Sequence, residues 1–360
     1  MIDSDIEKRK IWAKVLETRA NTGFPYIFFT GNVNKNKPDV YKDKNMMIQH
    51  SNMCTEIALP DDDKESFVCC LSSMNLLYYD DWKNTDAVKT LVYFLDSVMS
   101  EFIERAATFS YMERTVRFAR RHRALGLGVL GYHSYLQSKN IAFESFEARD
   151  LNREVFGYIK NSAYEASSEL AFLFGTPELL DGYGRRNTTL MAVAPTKSSS
   201  FILGQVSEGI EPQRANIFIK DTAKGKFTVK NPYLQAKLQE LGKDEPKVWA
   251  SILSNSGSVQ HLDFIDAHDK NVFRTFAEIN PNEIITQAAH RQEFIDQAQS
   301  LNLMIKPSMP IKEVNALIIK AWKMGVKSLY YQISVNAAKE LSRAMANPQP
   351  SEVSCSSCEA

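Results

Sequence analysis

An α/β fold is what this sequence predicts, and three observations predict it. Apolar residues recur at helical spacing in several long stretches, short apolar segments of strand length lie between them, and the two kinds alternate. That alternation belongs to layered helices and strands rather than to a bundle or a sandwich. No solenoid-type repeat is present.

In chain order, the first patterned segment is NMCTEIALP at residues 52–60. Read as extended, it puts Asn52, Cys54 and Glu56 on one face and Met53, Thr55 and Ile57 on the other, since side chains alternate along a strand. An amide, a thiol and a carboxylate would then converge. The plain alternative is an edge strand carrying an inert buried cysteine. A helix follows a polar, acidic start at Asn84-Thr85-Asp86, with Val88, Leu91, Val92, Leu95, Val98, Met99 and Phe102 on one stripe. The basic run Arg117 to Arg123 is expected to be a solvated helix face, with phosphate or subunit contacts as the alternative. Gly126 to Gly131 matches G-x-G-x-x-G, but the preceding RFARRHRA is no apolar strand. The dinucleotide reading is therefore set aside, and the glycines are expected to admit a closely packed helix.

A second helix is expected around residues 150–174, then a short apolar strand, TLMAVAP, at 189–195. It runs into PTKSSSFILGQ, where hydroxyl side chains and the backbone N–H groups opening a helix can hold phosphate oxygens, or simply cap that helix. Residues 218–260 have weak periodicity and receive no assignment. Ile311 to Met324 carries Val314, Leu317, Ile318 and Ala321 at helical spacing, with Gly325 as its C-cap, and a buried strand VKSLYYQ comes next. Its Tyr330-Tyr331 pair, taken alone, reads as a core or interface pair. From Asn347 the tail NPQPSEVSCSSCEA is poor in apolar residues and expected to be mobile.

The bulk numbers bound the function. At 360 residues the chain can bury a substantial core, and its 43 basic and 43 acidic residues leave no overall field toward nucleic acid or an anionic membrane. No apolar run is long enough to span a bilayer, and MIDSDIEKRKIW is too charged for a signal peptide, so a cytoplasmic protein is expected. The cysteines, Cys54, Cys69, Cys70, Cys355 and Cys358, are too few and too unevenly placed for a disulfide-stapled secreted fold. Cys355-x-x-Cys358 lacks the further ligands that zinc needs, and no metal site is expected. A dithiol on a loose tail suits the transfer of reducing equivalents by thiol–disulfide exchange.

Together these segments resemble the C-terminal half of the large subunit of class I ribonucleotide reductases. ETRANTGFPYI (17–27), NMCTEIALP, CCLSSMNL, APTKSSS, EGIEP (208–212) and GVKSLYYQ appear in that family's order, ahead of the terminal CxxC. The resemblance implies the second half of a ten-stranded α/β barrel over residues 1–346, with a central finger loop, and a redox tail over 347–360. It implies reduction of ribonucleoside diphosphates to 2′-deoxyribonucleoside diphosphates. Cys54 would be the thiyl site that abstracts the ribose 3′ hydrogen, Glu56 the base on the 3′ hydroxyl, and Asn52 a substrate anchor. Cys69 would be one of two reducing thiols, Tyr330 and Tyr331 would relay the radical, and Cys355 and Cys358 would re-reduce the spent disulfide. Pro195, Thr196, Lys197, Ser198, Ser199 and Ser200 would cradle the diphosphate. No cofactor is expected in this chain; a small subunit would supply a metal-linked radical, and thioredoxin or glutaredoxin the electrons.

Two departures from the family pattern bear on this. Cys70 follows Cys69 directly and is read as a small buried residue facing away from it. The second reducing cysteine and the effector sites belong to the family's N-terminal half, whose motifs this sequence lacks, so a complementary N-terminal half is expected as a partner. The rival readings are a non-catalytic half-subunit and a thiyl-radical enzyme that makes its own radical. Six retained chemical residues count against the first, and LYYQ against the second.

Overall fold

The strands form where apolar residues cluster in short runs: β1 (Ile27–Phe28), β2 (Cys70–Asn75), β3 (Leu125–Leu130), β4 (Ile217–Thr222), β5 (Gly225–Lys230), β6 (Leu303–Ile305), β7 (Ser328–Leu329) and β8 (Gln332–Ser334). The structure, a computed structural model, describes residues 5–222, 225–306 and 308–334. β2 pairs in parallel with β3, Cys70 opposite Leu125 and Asn75 opposite Leu130. The predicted strand at 189–195 lies along the other side of β3, where the Leu127 N–H donates to Leu190 O at 2.7 Å and the Ala192 N–H to Leu127 O at 3.0 Å. Its far side bridges in parallel from Val193 to Gln299. The run from 297 to 305 continues into β6, which pairs in parallel with β8, and β1 closes that end antiparallel to β7.

Five parallel segments in succession, with helices between them, match the α/β expectation and half of a ten-stranded barrel. Parallel segments of this kind are buried on both faces. β3 is buried along its whole length. The helix Ala87–Ala106 packs on β2 and β3 and against the helix Phe146–Phe174, both close to the predicted positions. Val98, expected on the buried stripe, is 38% exposed. Ile311–Lys323 ends as predicted: Gly325 takes φ 84° and the Val326 N–H reaches back to Ala321 O at 3.1 Å, an ending that glycine permits at no steric cost. No helix among the described residues is long and apolar enough to cross a membrane.

Two expectations are corrected, and one unassigned region is filled in. The first two glycines of GLGVLG, Gly126 and Gly128, lie inside strand β3 and admit neighbouring strands, not a helix, while Gly131 stands just past the strand as the N-cap of a helix. A Cβ on Gly126 would sit 2.5 Å from Leu71 Cδ2, and one on Gly128 2.6 Å from Ala192 O. The basic run is not all solvated. His122 is fully enclosed, and Arg123 lies buried against both carboxylate oxygens of Asp96 at 2.8 Å each, because a residue at the helix end with φ 44° turns its side chain inward. The unassigned region 218–260 holds the antiparallel β4–β5 hairpin and the helices Pro232–Glu240 and Pro246–Ser254. These elements are short, which is why their periodicity is weak. The tail from 347, including Cys355 and Cys358, lies outside the described residues.

Candidate active site

The segment carrying Cys54 is a turn rather than an extended strand. The Thr55 N–H donates to Asn52 O at 3.2 Å, and Thr55 itself takes φ 68°, a left-handed conformation that costs a β-branched residue energy and persists only where the surroundings impose it. The predicted convergence survives by another route. The Asn52 amide donates from Nδ2 to Glu56 Oε1 at 2.9 Å and accepts through Oδ1 from the Ile57 N–H at 3.2 Å. The turn is docked onto the 297–300 run, where the Ala298 N–H donates to Glu56 O at 2.9 Å and the Ala58 N–H to Gln297 Oε1 at 3.1 Å.

Ser300 joins the thiol-bearing residue to the carboxyl. Its hydroxyl lies 2.6 Å from Cys54 O and 3.0 Å from Glu56 Oε2. A hydroxyl has one proton to give, and Ser300 shares it between two acceptors, the Cys54 carbonyl and the Glu56 carboxylate. Burial of Glu56 raises its pKa, opposed by the hydrogen bonds it accepts from its backbone, Asn52 and Ser300. The carboxyl is thus poised to take and return a proton.

Cys69 and Cys70 face opposite ways, as alternation requires. Gln297 Nε2 approaches Cys69 Sγ at 3.3 Å while also reaching Leu125 O and Thr189 Oγ1 at 3.1 Å. The residue keeps some exposed surface, yet its sulfur is enclosed; burial holds this thiol well above the ordinary range, and the Gln297 donor opposes the shift. Cys70 opens β2, half-buried rather than fully buried, with its thiol pushed up to about 11 by burial, against the pull of Arg123. Cys54, Cys69 and Cys70 are all outside any disulfide.

The tyrosines reach the thiol. The Tyr330 hydroxyl donates toward Cys54 Sγ at 3.4 Å, and the Tyr330 and Tyr331 rings meet at 4.4 Å between centroids and 62° between planes. Neighbouring residues of a regular strand point to opposite faces. Here the strand is interrupted between β7 and β8 at these two residues, which lets the rings meet. Burial and the neighbouring Cys54 raise the Tyr330 pKa, so its phenol holds its proton as a hydrogen-atom partner must.

A third phenol completes the cluster. Tyr26 contacts Tyr330 at 4.5 Å and Tyr331 at 5.0 Å between centroids. Arg19, only 1% exposed, ties the two segments by donating from Nη1 to Pro25 O and, at 3.2 Å, to Tyr330 O. Sequence reading quoted the segment of Tyr26 but assigned it no role. Arg19 lies in that same quoted segment and was likewise given no role, while Ser300 and Gln297 carry no motif and were missed, since only contacts across more than 200 residues reveal them.

PTKSSS opens a short helix, Lys197–Ile202, preceded by Thr196 at φ 51°. Thr196 Oγ1 meets Ser200 Oγ at 2.9 Å and accepts from the Gly209 N–H at 2.7 Å. Pro195, Ser198 and Ser199 are half-buried around it, and Lys197 is exposed. EGIEP therefore backs this loop, and a Cβ on Gly209 would stand 3.2 Å from Ala194 O.

Comparison with known proteins gives the family of this fold. The family model described as "Ribonucleotide reductase, barrel domain" matches residues 2–182 and 177–332. The large subunit of ribonucleoside-diphosphate reductase from Invertebrate iridescent virus 3 is 39% identical over 334 residues, covering 92% of this chain and 53% of that protein. The corresponding putative large subunit of Frog virus 3 is 38% identical, over 98% of this chain and 63% of its own length. Among solved structures, the class Id ribonucleotide reductase alpha subunit of Actinobacillus ureae superposes with a TM-score of 0.88 and 54% identity, over 92% of this chain and 62% of that one. The chain spans less than two thirds of the length of each of these relatives.

Proposed function

This chain belongs to the ribonucleotide reductase barrel-domain family, and from that premise we propose that it is the catalytic C-terminal half of a ribonucleoside-diphosphate reductase large subunit. The observation that carries the reading is the Tyr330 phenol 3.4 Å from the Cys54 sulfur, with Asn52, Glu56 and Ser300 linked around the same turn. In the proposed cycle a tyrosyl radical relayed through Tyr331 reaches Tyr330, whose phenoxyl oxygen takes the hydrogen atom from the Cys54 thiol. The thiyl sulfur then takes the 3′ hydrogen atom of the ribose while Glu56 accepts the 3′-hydroxyl proton. The 2′ hydroxyl leaves as water with a proton from a thiol. Two thiols then supply two electrons and close as a disulfide, Cys69 being one of them. Return of the proton from Glu56 to the 3′ oxygen and of the hydrogen atom from Cys54 to C3′ restores the 3′ hydroxyl and regenerates the thiyl and then the tyrosyl radical. The cradle from Pro195 to Ser200 holds the diphosphate, and Cys355 and Cys358 re-reduce the disulfide by exchange, themselves reduced by thioredoxin or glutaredoxin.

The chain takes no cofactor of its own in this reading; a small subunit supplies the metal-linked radical. The partner thiol of Cys69 comes from a complementary N-terminal half, since Cys70 faces away and a bond between adjacent cysteines is strained. β2 supports that need. It pairs only with β3 among the described strands, and Leu71 on it is 37% exposed. A parallel edge of this kind invites another chain, over an obligate interface of about 2,000 Å² or more. The test is to assay the purified chain with reductant and small subunit, then add an N-terminal-half polypeptide and follow mass and deoxynucleotide formation. Activity that appears only with a stable complex supports the proposal. A monomer that reduces nucleotides unaided refutes the split.

A further inference from the structure

Two residues of the sheet, Ser300 and Asn302, reach opposite ends of the candidate chemistry. Ser300 holds the Cys54 carbonyl and Glu56. Asn302, 6% exposed, accepts through Oδ1 from the Tyr331 N–H at 2.9 Å and donates from Nδ2 to Glu211 Oε1. The orientation of the amide is forced. Its oxygen must face the Tyr331 N–H, so its nitrogen must face Glu211, which has to act as acceptor. The break between β7 and β8 needs this support, because the Tyr331 N–H takes a side-chain acceptor at the interruption in place of a ladder carbonyl.

Glu211 is the last polar residue of EGIEP and is itself 7% exposed. Its N–H closes a turn onto Glu208 O at 2.9 Å, and within that turn the Gly209 N–H donates to Thr196 Oγ1 of the phosphate cradle. A shift of the cradle around a bound diphosphate is therefore felt two residues before Glu211. A neutral amide could accept from Asn302 without the cost of a buried carboxyl. Burial and Glu208 push this carboxyl up to about 7, against Arg214 and the Asn302 hydrogen bond.

We infer that Glu211, acting through Asn302, is a positioning residue that couples occupancy of the Thr196–Ser200 cradle to the alignment of Tyr331 on Tyr330. The inference rests on the reading of those two sites given above. It makes the tyrosine step responsive to substrate: with the cradle filled, Glu211 fixes Asn302 and Asn302 fixes the Tyr331 backbone.

The test places 3-fluorotyrosine at position 331 in the full chain, alone and assembled with the complementary half, and follows its fluorine resonance as a nucleoside diphosphate is added. The resonance is expected to shift and narrow on binding in the parent. Glu211→Ala and Asn302→Ala should abolish that response while diphosphate affinity stays within about threefold, and Glu211→Gln should restore part of it. In turnover, Glu211→Ala should lower kcat by about 10- to 100-fold with KM nearly unchanged, the signature of misalignment rather than lost binding. Glu56 shares the turn of Cys54, which Tyr330 touches, and titrates upward of an ordinary carboxylate, so the fluorine response of the parent and Glu211→Gln is compared in a Glu56→Gln background as well. A fluorine response unchanged by Glu211→Ala, or a KM effect with unchanged kcat, overturns the coupling and leaves the proposed function standing. A parent chain that binds no diphosphate even when assembled with the complementary half overturns both.

Discussion

Strand β3 and the segment Ser328–Ser334 belong to the same succession of parallel strands, yet they are built to opposite ends. β3 is unbroken for six residues and buried throughout, with glycines at 126 and 128 where neighbouring strands come closest. The other segment is interrupted at Tyr330-Tyr331, where two rings meet that a regular pleat would hold apart. The turn at Cys54 is a second interruption, with Thr55 held at φ 68°. Regularity serves packing, and departure from it brings chemistry-bearing neighbours onto one side. Strain confined to such places is what function at a site would impose.

Substitutions in the interrupted segments should therefore cost activity and little stability. Cys54→Ala should reduce deoxynucleotide formation by the assembled enzyme to background, while thermal unfolding moves by no more than about 1–2 kcal/mol for the loss of one sulfur. Tyr330→Phe should be equally inactive, because the ring contacts with Tyr26 and Tyr331 remain and only the hydroxyl facing Cys54 is lost. A Tyr330→Phe enzyme with substantial turnover would remove the phenol from the path.

Glu56→Gln comes next, with an expected loss of about 10²- to 10⁴-fold, the range of a general base. Its pH dependence follows from the direction of the shift. Burial raises the folded-state pKa, so the basic form is lost on acidification at a higher pH than for an ordinary carboxylate, and the acid limb of the parent's activity profile lies correspondingly high. The stability sign is the reverse of the usual carboxylate case. The contribution is complete below the unfolded-state value and is lost as pH rises through the folded value. Glu56→Gln should thus unfold at a higher temperature than the parent near neutral pH and show no difference at low pH. A mutant less stable at neutral pH would contradict the assigned direction.

The regular strand should behave oppositely. Gly128→Ala would press a methyl group onto the Ala192 carbonyl, backbone that cannot step aside, whereas Gly126→Ala meets first the end of the Leu71 side chain. Overpacking of this kind costs about 1–3 kcal/mol, more at 128 than at 126. Denaturation midpoints should fall in that order, with the chemistry of the folded fraction unchanged.

How much of this was legible beforehand follows the same division. The long helices were readable because each buries one stripe, and Cys54, Glu56, Asn52 and the tyrosine pair because they sit in short motifs whose order matches a known family. The turn at Cys54 was misread as extended because N-x-C-x-E carries no glycine or proline to announce a turn. What imposes φ 68° on Thr55 is docking against residues 297–300. The glycine pair of β3 was legible as close packing, but the partner was wrong, since spacing alone does not tell a strand neighbour from a helix. Gln297, Ser300 and Asn302 were invisible: polar residues at alternate positions look like any half-buried strand until the segments they join are brought together.

The central claim is that the unpaired electron passes through Tyr330 to Cys54, and the most direct measurement places a radical trap at that step. Tyr330 is replaced by 3-aminotyrosine, whose lower potential holds the radical. The chain is assembled with its complementary half and small subunit, given substrate, and frozen for electron paramagnetic resonance. The account predicts an aminotyrosyl signal that grows as the small-subunit radical declines, and that forms equally in a Cys54→Ala background because the trap precedes the thiol. Loss of the small-subunit radical through productive turnover with no aminotyrosyl signal at position 330 would contradict it.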